Sequence, residues 1–224
     1  MKQLVASILI GFTLALNGCS LFVKTKDWNA VSDVTYSIGN KDEAFCTATR
    51  ISQNELLTAA HCVVNQDPAE EIAVRDGGTI VGTAMVQRVN TGSEQPDLAI
   101  LWVYFQKDNG QIAPLASSNA LRGEIVVVGG YPMGIGEVLT EGVSQALVTT
   151  SEGKMLLHTA QATYGNSGGG VFVYRMGTWQ LVGVTSQFAT AQPVFTPYGV
   201  GKVGVNYLGL AVAQSEIKVF LDGR

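Results

Sequence analysis

The segment Gly165-Asn166-Ser167-Gly168-Gly169 places a serine among glycines, between two candidate strands. Glycine adopts positive φ angles at little steric cost, so this loop can turn sharply and direct successive backbone N–H groups into one concavity. Such a concavity would stabilise an oxyanion that develops beside the serine. The alternative is a glycine-rich β-turn without a chemical role, and the pentapeptide alone is compatible with both interpretations.

Two upstream segments contain groups that can activate a serine nucleophile. His61 ends the segment Leu57–His61 and precedes Cys62, and a histidine held within hydrogen-bond reach of a serine can act as a general base. Asp97 precedes the apolar run 98–101, where a partly buried carboxylate could orient the imidazole and stabilise its protonated form. A buried structural histidine and an ordinary turn aspartate are the respective alternatives.

Taken together, the segments 58–62, 97–101 and 165–169 resemble the trypsin/chymotrypsin-like serine protease family, in which the motifs follow in the same order. The resemblance covers roughly residues 34–221. It implies an all-β fold of two packed, six-stranded antiparallel barrels with an active site in the cleft between them.

The resemblance also implies a role for each matching residue. His61 is the general base and then the general acid, Asp97 orients it, and Ser167 attacks the scissile carbonyl. The backbone N–H groups of Gly165 and Ser167 form the oxyanion hole.

Two further segments are similar to bacterial HtrA-type proteases, namely Gly129–Gly134 (GGYPMG) and Val138–Ser144 (VLTEGVS). We find no segment similar to the PDZ domain that usually follows such a protease, so we do not carry over its regulation or its trimeric state. Asn166 stands where zymogen-activated relatives have an aspartate that pairs with a freed N-terminal amine. An amide cannot form that ion pair, so we expect assembly without proteolytic activation.

Substrate choice rests on weaker matches. Gln161 resembles the residue at the floor of the specificity pocket, and Ser186 and Phe188 lie on the strand that resembles the one pairing with substrate backbone. None of them supplies a charge, which disfavours Lys or Arg at the cleavage site and favours an uncharged, aliphatic residue. His158 could instead recognise an acidic residue, although its position within a strand favours a structural role.

The composition favours one globular domain. The chain has 224 residues, of which 46% are hydrophobic and 14% charged, so it can bury a substantial core. The formal net charge is −4 and Lys and Arg form no cluster, which argues against a nucleic-acid partner. With only two histidines and no CxxC, HExxH, dinucleotide-binding or P-loop motif, we expect no metal and no cofactor.

Strand-like segments dominate residues 46–188, where about ten short apolar runs are separated by Gly, Asn, Asp and Pro. This pattern predicts antiparallel barrels or a sandwich. Only Ala59–Val64 and Gln214–Leu221 are predicted to be helical, the second with an apolar face.

The N-terminus is typical of an exported protein. An apolar run from Leu4 to Leu16 follows Met1-Lys2 and is too short to span a bilayer, so residues 1–18 are predicted to be a signal peptide. Its end resembles a bacterial lipobox, which makes Cys19 a lipidation site. A signal cleaved in the ordinary way, leaving Cys19 as an odd thiol, is the alternative.

We therefore divide the chain into a signal peptide, a lipidated cysteine with a tether (19–33) and a protease domain (34–224). In the lipoproteins that this end resembles, a serine after the cysteine permits transport to the outer membrane, so the resemblance implies the periplasmic face of that membrane. Export also makes Cys46 and Cys62 a predicted disulfide, which would fix the backbone that carries His61.

These features predict a serine endopeptidase of the bacterial cell envelope that cleaves protein or peptide substrates through an acyl-enzyme intermediate. A lipid anchor at Cys19 would make the membrane a further partner, and no oligomeric state is indicated. The alternatives are a catalytically silent, peptide-binding lipoprotein with a protease fold and a surface lipoprotein whose glycine-rich loops only connect strands. Retention of all three candidate triad residues favours the enzyme.

Overall fold

The computed structural model describes residues 27–67, 70–188, 192–196, 199–203 and 208–223. The predicted signal peptide (1–18) and lipidation site (Cys19) lie outside the described residues. Within the described residues, no helix is both long enough and apolar enough to span a bilayer. The strands are β1 (Thr35–Gly39), β2 (Ala44–Ser52), β3 (Glu55–Thr58), β4 (Ile72–Asp76), β5 (Thr79–Val89), β6 (Ala99–Phe105), β7 (Ile125–Gly130), β8 (Val138–Thr150), β9 (Gly153–His158), β10 (Gly170–Arg175), β11 (Thr178–Phe188), β12 (Gln192–Thr196), β13 (Gly199–Val203) and β14 (Gly209–Ala213).

Twelve of these strands close into two antiparallel barrels. The first barrel has the order β1-β2-β3-β6-β5-β4, and the second has the order β10-β11-β14-β9-β8-β7. Strands β12 and β13 form a separate two-stranded sheet. Closure leaves neither barrel with an unpaired edge, so every barrel strand pairs with a neighbour on both sides. The predicted fold of two packed barrels with a short C-terminal helix is confirmed.

Four strands were not predicted from the sequence, namely β1, β12, β13 and β14. In β1 (TYSIG) every residue is buried, and in β14 (GLAVA) only one residue is not. A strand covered on both faces lacks the alternation of apolar and polar residues that reveals a strand in a sequence.

The folded part of the chain also begins earlier than residue 34. A short helix α1 (Asn29–Ser32) buries Val31 completely. The indole N–H of Trp179 donates to the carbonyl of Asp27 at 2.9 Å, which ties this segment to the second barrel. Residues 27–33, which the sequence assigned to the tether, are therefore attached to the barrels through Val31 and the Asp27 carbonyl, although most of their side chains are exposed. One turn of helix is too short to show a period in the sequence.

Three apolar clusters stabilise the fold. One fills each barrel, and the third is shared between them and includes the C-terminal helix α2 (Gln214–Asp222). The shared cluster includes Leu57, Leu98 and Ile100 from the first barrel and its approach, and Val127, Phe172, Val184, Ile217 and Phe220 from the second barrel and α2. Burial on this scale fixes how the two barrels face each other.

His158 belongs to the interior of the second barrel and is fully buried. A Cβ atom at the facing Gly209 would collide with its ring, so the imidazole occupies space that only glycine leaves free. Neither ring nitrogen forms a hydrogen bond of normal geometry within the described residues. Burial lowers the pKa of His158 to about 4, and a contact with the Ala160 backbone offsets this only in part. His158 is therefore a neutral structural residue rather than a group that faces substrate.

We predict that His158 makes the protein less stable in acid. The unfolded chain binds a proton below the ordinary pKa of 6.5, but the folded chain does so only near a pKa of about 4. The free energy of unfolding should therefore fall between these pH values, by on the order of 3 kcal/mol from this group. Urea unfolding at about pH 7 and about pH 4.5 measures the loss.

The control is His158→Met, which fills a similar volume without titrating. The loss of unfolding free energy between the two pH values should be smaller in this variant than in the wild type. Equal losses in the two proteins would contradict the assignment.

Candidate active site

His61 is placed by a short 3-10 turn, Ala60–Cys62, that follows β3. Cys62 at the end of this turn is bonded to Cys46 on β2, with the two Cα atoms 6.2 Å apart. The predicted disulfide is confirmed, and it ties the turn that carries His61 to the wall of the first barrel.

Asp97 lies next to His61 in space, two residues before β6. The His61 Nδ1 atom is 2.7 Å from Asp97 Oδ2, and the backbone N–H of His61 donates to Asp97 Oδ1 at 2.8 Å. The Ser186 hydroxyl donates to Asp97 Oδ2 at 2.6 Å. Because the carboxylate accepts from Nδ1, the proton of the neutral imidazole lies on Nδ1 and Nε2 is left to accept another proton.

The pKa values of the pair shift in opposite directions. Burial alone raises the pKa of Asp97, but hydrogen bonds from His61 and Ser186 outweigh it, so the pKa is lowered and the carboxyl stays ionised at neutral pH. The hydrogen bond to Asp97 raises the pKa of His61 against the opposing effect of burial. The site is therefore built to stabilise a proton on the imidazole.

Ser167 lies in a loop that reaches this turn from the second barrel. Its carbonyl accepts from the Thr47 N–H on β2 at 2.8 Å, and Cys62 Sγ is 3.7 Å from the same oxygen. No hydrogen bond joins the Ser167 hydroxyl to His61 within the described residues. Catalytic hydrogen bonds are often long in a free enzyme and shorten when substrate binds.

The loop directs two backbone N–H groups away from the protein's own carbonyls. Gly165 and Gly168 have φ angles of 93° and 85°, which other residues rarely adopt. The N–H groups of Asn166, Gly168 and Gly169 each donate to a backbone carbonyl. Among the described residues, no carbonyl accepts from the N–H of Gly165 or Ser167, the pair that the family resemblance assigns to the oxyanion hole.

A cleft of about 540 Å³ opens beside the imidazole. His61, Asp97 and Ser186 are among the residues that line one part of it, and residues 90–93, Gln95 and Glu152 line a second part. The side chains on this second part are mainly polar.

The three predicted substrate-pocket residues differ in their surroundings. Gln161 is exposed, and its carbonyl accepts from the Thr140 hydroxyl at 2.8 Å. The structure shows a contact of Ser186 that the sequence did not predict: its hydroxyl donates a hydrogen bond to the Asp97 carboxylate. The backbone of Phe188 pairs with Gly209 at the end of β11, and its side chain lies outside the described residues. No pattern in the sequence signals the contact of Ser186, since it depends on how β11 packs beside the first barrel.

The described residues contain one cluster of metal-ligand atoms. Cys46, His61 and Cys62 bring their donor atoms within 4.8 Å of one another. The two sulfur atoms are bonded to each other, so neither is available as a thiolate ligand. His61 is the only remaining donor, and one imidazole does not make a metal site.

The family of the chain follows from its similarity to known protein families. Residues 46–184 match the family model of the trypsin-like peptidase domain, and this stretch includes His61, Asp97 and Ser167. The chain belongs to the trypsin-like peptidase family. The match spans both barrels and is consistent with a serine endopeptidase. A search of curated protein sequences found no significant match for this trypsin-like peptidase.

Several solved structures share the fold. Rv3671c from M. tuberculosis, in an inactive form, has a TM-score of 0.65 at 20% identity, with 88% of each chain covered. A serine-to-alanine variant of the HtrA-type protease AlgW with a tripeptide has a TM-score of 0.67 at 20% identity, with 88% of this chain and 61% of that chain covered. The serine endoprotease from Yersinia pestis has a TM-score of 0.65 at 20% identity, with 88% of this chain and 64% of that chain covered.

We predict that Asp97→Asn lowers the pKa of His61. In the wild type the imidazole should titrate above its ordinary pKa of 6.5, because the hydrogen bond to Asp97 favours the protonated form. In the variant burial remains and the charged partner is lost, so the pKa should fall to 6.5 or below. Activity should rise with pH through the wild-type value, since only the neutral imidazole acts as a base.

Proton NMR can follow both values because the chain contains two histidines. The His158 signals serve as the internal control and should report a pKa of about 4 in both proteins. A His61 signal that titrates at the same pH in wild type and Asp97→Asn would contradict the prediction.

Proposed function

We propose that this trypsin-like peptidase is a serine endopeptidase of the bacterial cell envelope, with His61, Asp97 and Ser167 as its catalytic triad. The observation that carries the proposal is the contact of 2.7 Å between His61 Nδ1 and Asp97 Oδ2. It lies beside the Ser167 loop, in which the N–H groups of Gly165 and Ser167 donate to no carbonyl of the described residues. These contacts support the proposal that a base, its orienting carboxylate, a nucleophile and donors for an oxyanion act together where the two barrels meet.

In the proposed reaction, His61 Nε2 takes the proton from the Ser167 hydroxyl as Ser167 Oγ bonds to the scissile carbonyl carbon. The carbonyl oxygen gains negative charge and accepts from the N–H groups of Gly165 and Ser167. Asp97 stabilises the imidazolium that forms, in keeping with the raised pKa of His61.

Collapse of this intermediate breaks the C–N bond, and His61 donates its proton to the leaving amine. The acyl group remains bonded to Ser167 Oγ as an ester. His61 then removes a proton from water as the water oxygen bonds to the ester carbon. Collapse of this second intermediate breaks the bond between that carbon and Ser167 Oγ, Oγ takes the proton back from His61, and the carboxylic acid product leaves.

Two observations support the nature of the substrate. AlgW, which shares the fold, has been solved with a tripeptide and with a decapeptide. In this chain a cleft of about 540 Å³ opens beside His61. For the residue at the cleavage site we propose an uncharged, aliphatic side chain, since Gln161, which the family resemblance assigns to the pocket floor, carries no charge.

The proposed enzyme does not require proteolytic activation. Asn166 is 2% exposed, and its Oδ1 accepts from the Thr163 N–H at 3.3 Å. A Cβ atom at Gly130 would collide with the Asn166 amide, so this side chain fills a fitted space beneath the loop. These contacts hold the loop without an ion pair to a new N-terminus.

We predict that Ser167→Ala abolishes reaction with a fluorophosphonate probe and cleavage of casein, because the nucleophilic oxygen is lost. The soluble protein from residue 27 is incubated with each reagent, and mass spectrometry identifies the labelled residue and the cut sites. Ser215→Ala is the matched control, since its buried hydroxyl has no hydrogen-bond partner in the described structure. This control should react like the wild type.

Labelling of Ser167→Ala would assign the nucleophile elsewhere. A folded wild type that neither reacts with the probe nor cleaves any substrate would favour the silent, peptide-binding protein. Cut sites after Lys or Arg would overturn the proposed pocket preference alone.

We also propose that a lipid on Cys19 anchors the enzyme to the periplasmic face of the outer membrane. The support is the sequence itself, with an apolar leader and a lipobox-like end. Two acyl signals suffice for stable membrane binding of a folded domain.

For the full-length chain expressed in bacteria, we predict incorporation of a palmitate analogue and recovery in the outer-membrane fraction. Cys19→Ala should lose both, and it retains Cys46 and Cys62, so the label cannot be attributed to those cysteines. Equal labelling of the two proteins, or an unlabelled wild type, would exclude lipidation at Cys19.

A further inference from the structure

Thr47 on β2 contacts the Ser167 loop through both its backbone and its side chain. It is completely buried and adjoins Cys46. Its backbone N–H donates to the Ser167 carbonyl at 2.8 Å. Its hydroxyl donates to the Gly165 carbonyl at 2.7 Å and accepts from the Tyr131 N–H at 2.9 Å.

The direction of these hydrogen bonds is fixed by chemistry. A backbone N–H can only donate, so the Tyr131 N–H occupies a lone pair of the Thr47 hydroxyl. The single hydroxyl proton is then directed at the Gly165 carbonyl. Thr47 therefore links Gly165 to the turn that begins at Tyr131.

The same turn fixes the peptide unit on the other side of Gly165. The Met133 N–H donates to the Tyr164 carbonyl at 2.8 Å. In a trans peptide the C=O and N–H point in opposite directions, so this bond turns the Gly165 N–H away from Met133. Met133 adopts a φ of 52° and ψ of 20°, an uncommon left-handed conformation for a non-glycine residue.

Gly165 cannot hold its orientation unaided. With a φ of 93° and no side chain, it can rotate its flanking peptides at low steric cost. The hydrogen bond from Met133 restrains the peptide before it, and the hydrogen bond from Thr47 restrains the peptide after it. The Tyr131 N–H donates to the Thr47 hydroxyl and so connects Thr47 to the turn that contains Met133.

We propose that Thr47 is a positioning residue that holds the Gly165 N–H in the orientation required to stabilise the oxyanion. The inference rests on the proposed function of this loop. Thr47 does not touch the substrate; it acts through the Gly165 peptide. Loss of the hydroxyl leaves the Gly165 carbonyl and the Tyr131 N–H buried without their partner, which favours rotation of the loop.

The test compares three variants on one strand. Thr47→Val keeps the branched shape and removes the hydroxyl, whereas Thr47→Ser keeps the hydroxyl. Thr49→Val is the matched control, since Thr49 lies two residues along β2, is equally buried, and its hydroxyl has no partner in the described structure. Steady-state cleavage of a peptide substrate gives kcat and KM for each protein.

We expect kcat to fall by about 10- to 100-fold in Thr47→Val with little change in KM, because the lost interaction acts in the transition state. Thr47→Ser should retain most of the wild-type kcat, and Thr49→Val should equal the wild type. Affinity for a peptide aldehyde, which forms a tetrahedral adduct with the serine, should fall in parallel with kcat. Affinity for the corresponding peptide carboxylic acid should not change.

A Thr47→Val protein with wild-type kcat would overturn the inference, as would an increase in KM alone. If Thr47→Val does not fold, Thr47→Ala removes the hydroxyl without adding an apolar group, and its kcat relative to Thr47→Ser decides the question. An inactive, unlabelled wild type would reject the proposed protease function itself. Active wild type and equally active Thr47→Val would reject only the role of Thr47.

Discussion

The apolar cluster shared by the two barrels is the constraint on which the site depends. Leu57 and Leu98 are completely buried in it, and they lie a few residues from His61 and next to Asp97. From the other barrel, Val184 is buried in the same cluster close to Ser186. Because dense packing permits few alternative arrangements, the polar groups at the margin of this cluster are held at hydrogen-bond distance from one another.

Burial alone does not determine how an ionisable group behaves in this protein. His158 is fully buried without a hydrogen bond of normal geometry, and its pKa falls to about 4. His61 is about half exposed and bonded to a carboxylate, and its pKa rises. The same side chain is therefore a neutral packing group at one position and a proton acceptor at the other. The difference arises from the carboxylate of Asp97, which favours a protonated imidazole at His61 and outweighs its desolvation. No carboxylate contributes to the pKa of His158, so desolvation dominates there.

The Ser167 loop shows how a flexible sequence can be held in one conformation. Its glycines permit the positive φ angles, but they also permit many other conformations. The first barrel supplies the restraint, because Thr47 donates hydrogen bonds to the carbonyls of both Gly165 and Ser167. The site is thus preorganised by hydrogen bonds that cross between barrels, and such preorganisation is the main source of electrostatic stabilisation in a transition state.

The sequence was sufficient to predict the class of the fold, through the motifs around His61, Asp97 and Ser167, and the Cys46–Cys62 pair, because these inferences depend on short segments and on chemically distinctive residues. It did not reveal β1, β14 or α1, because segments that are buried on all sides or only one turn long carry no period. Nor did it reveal what Ser186 and Thr47 bond to. Serine and threonine are common in strands, and only the packing of one barrel against the other decides which hydroxyl meets a carboxylate or a loop carbonyl.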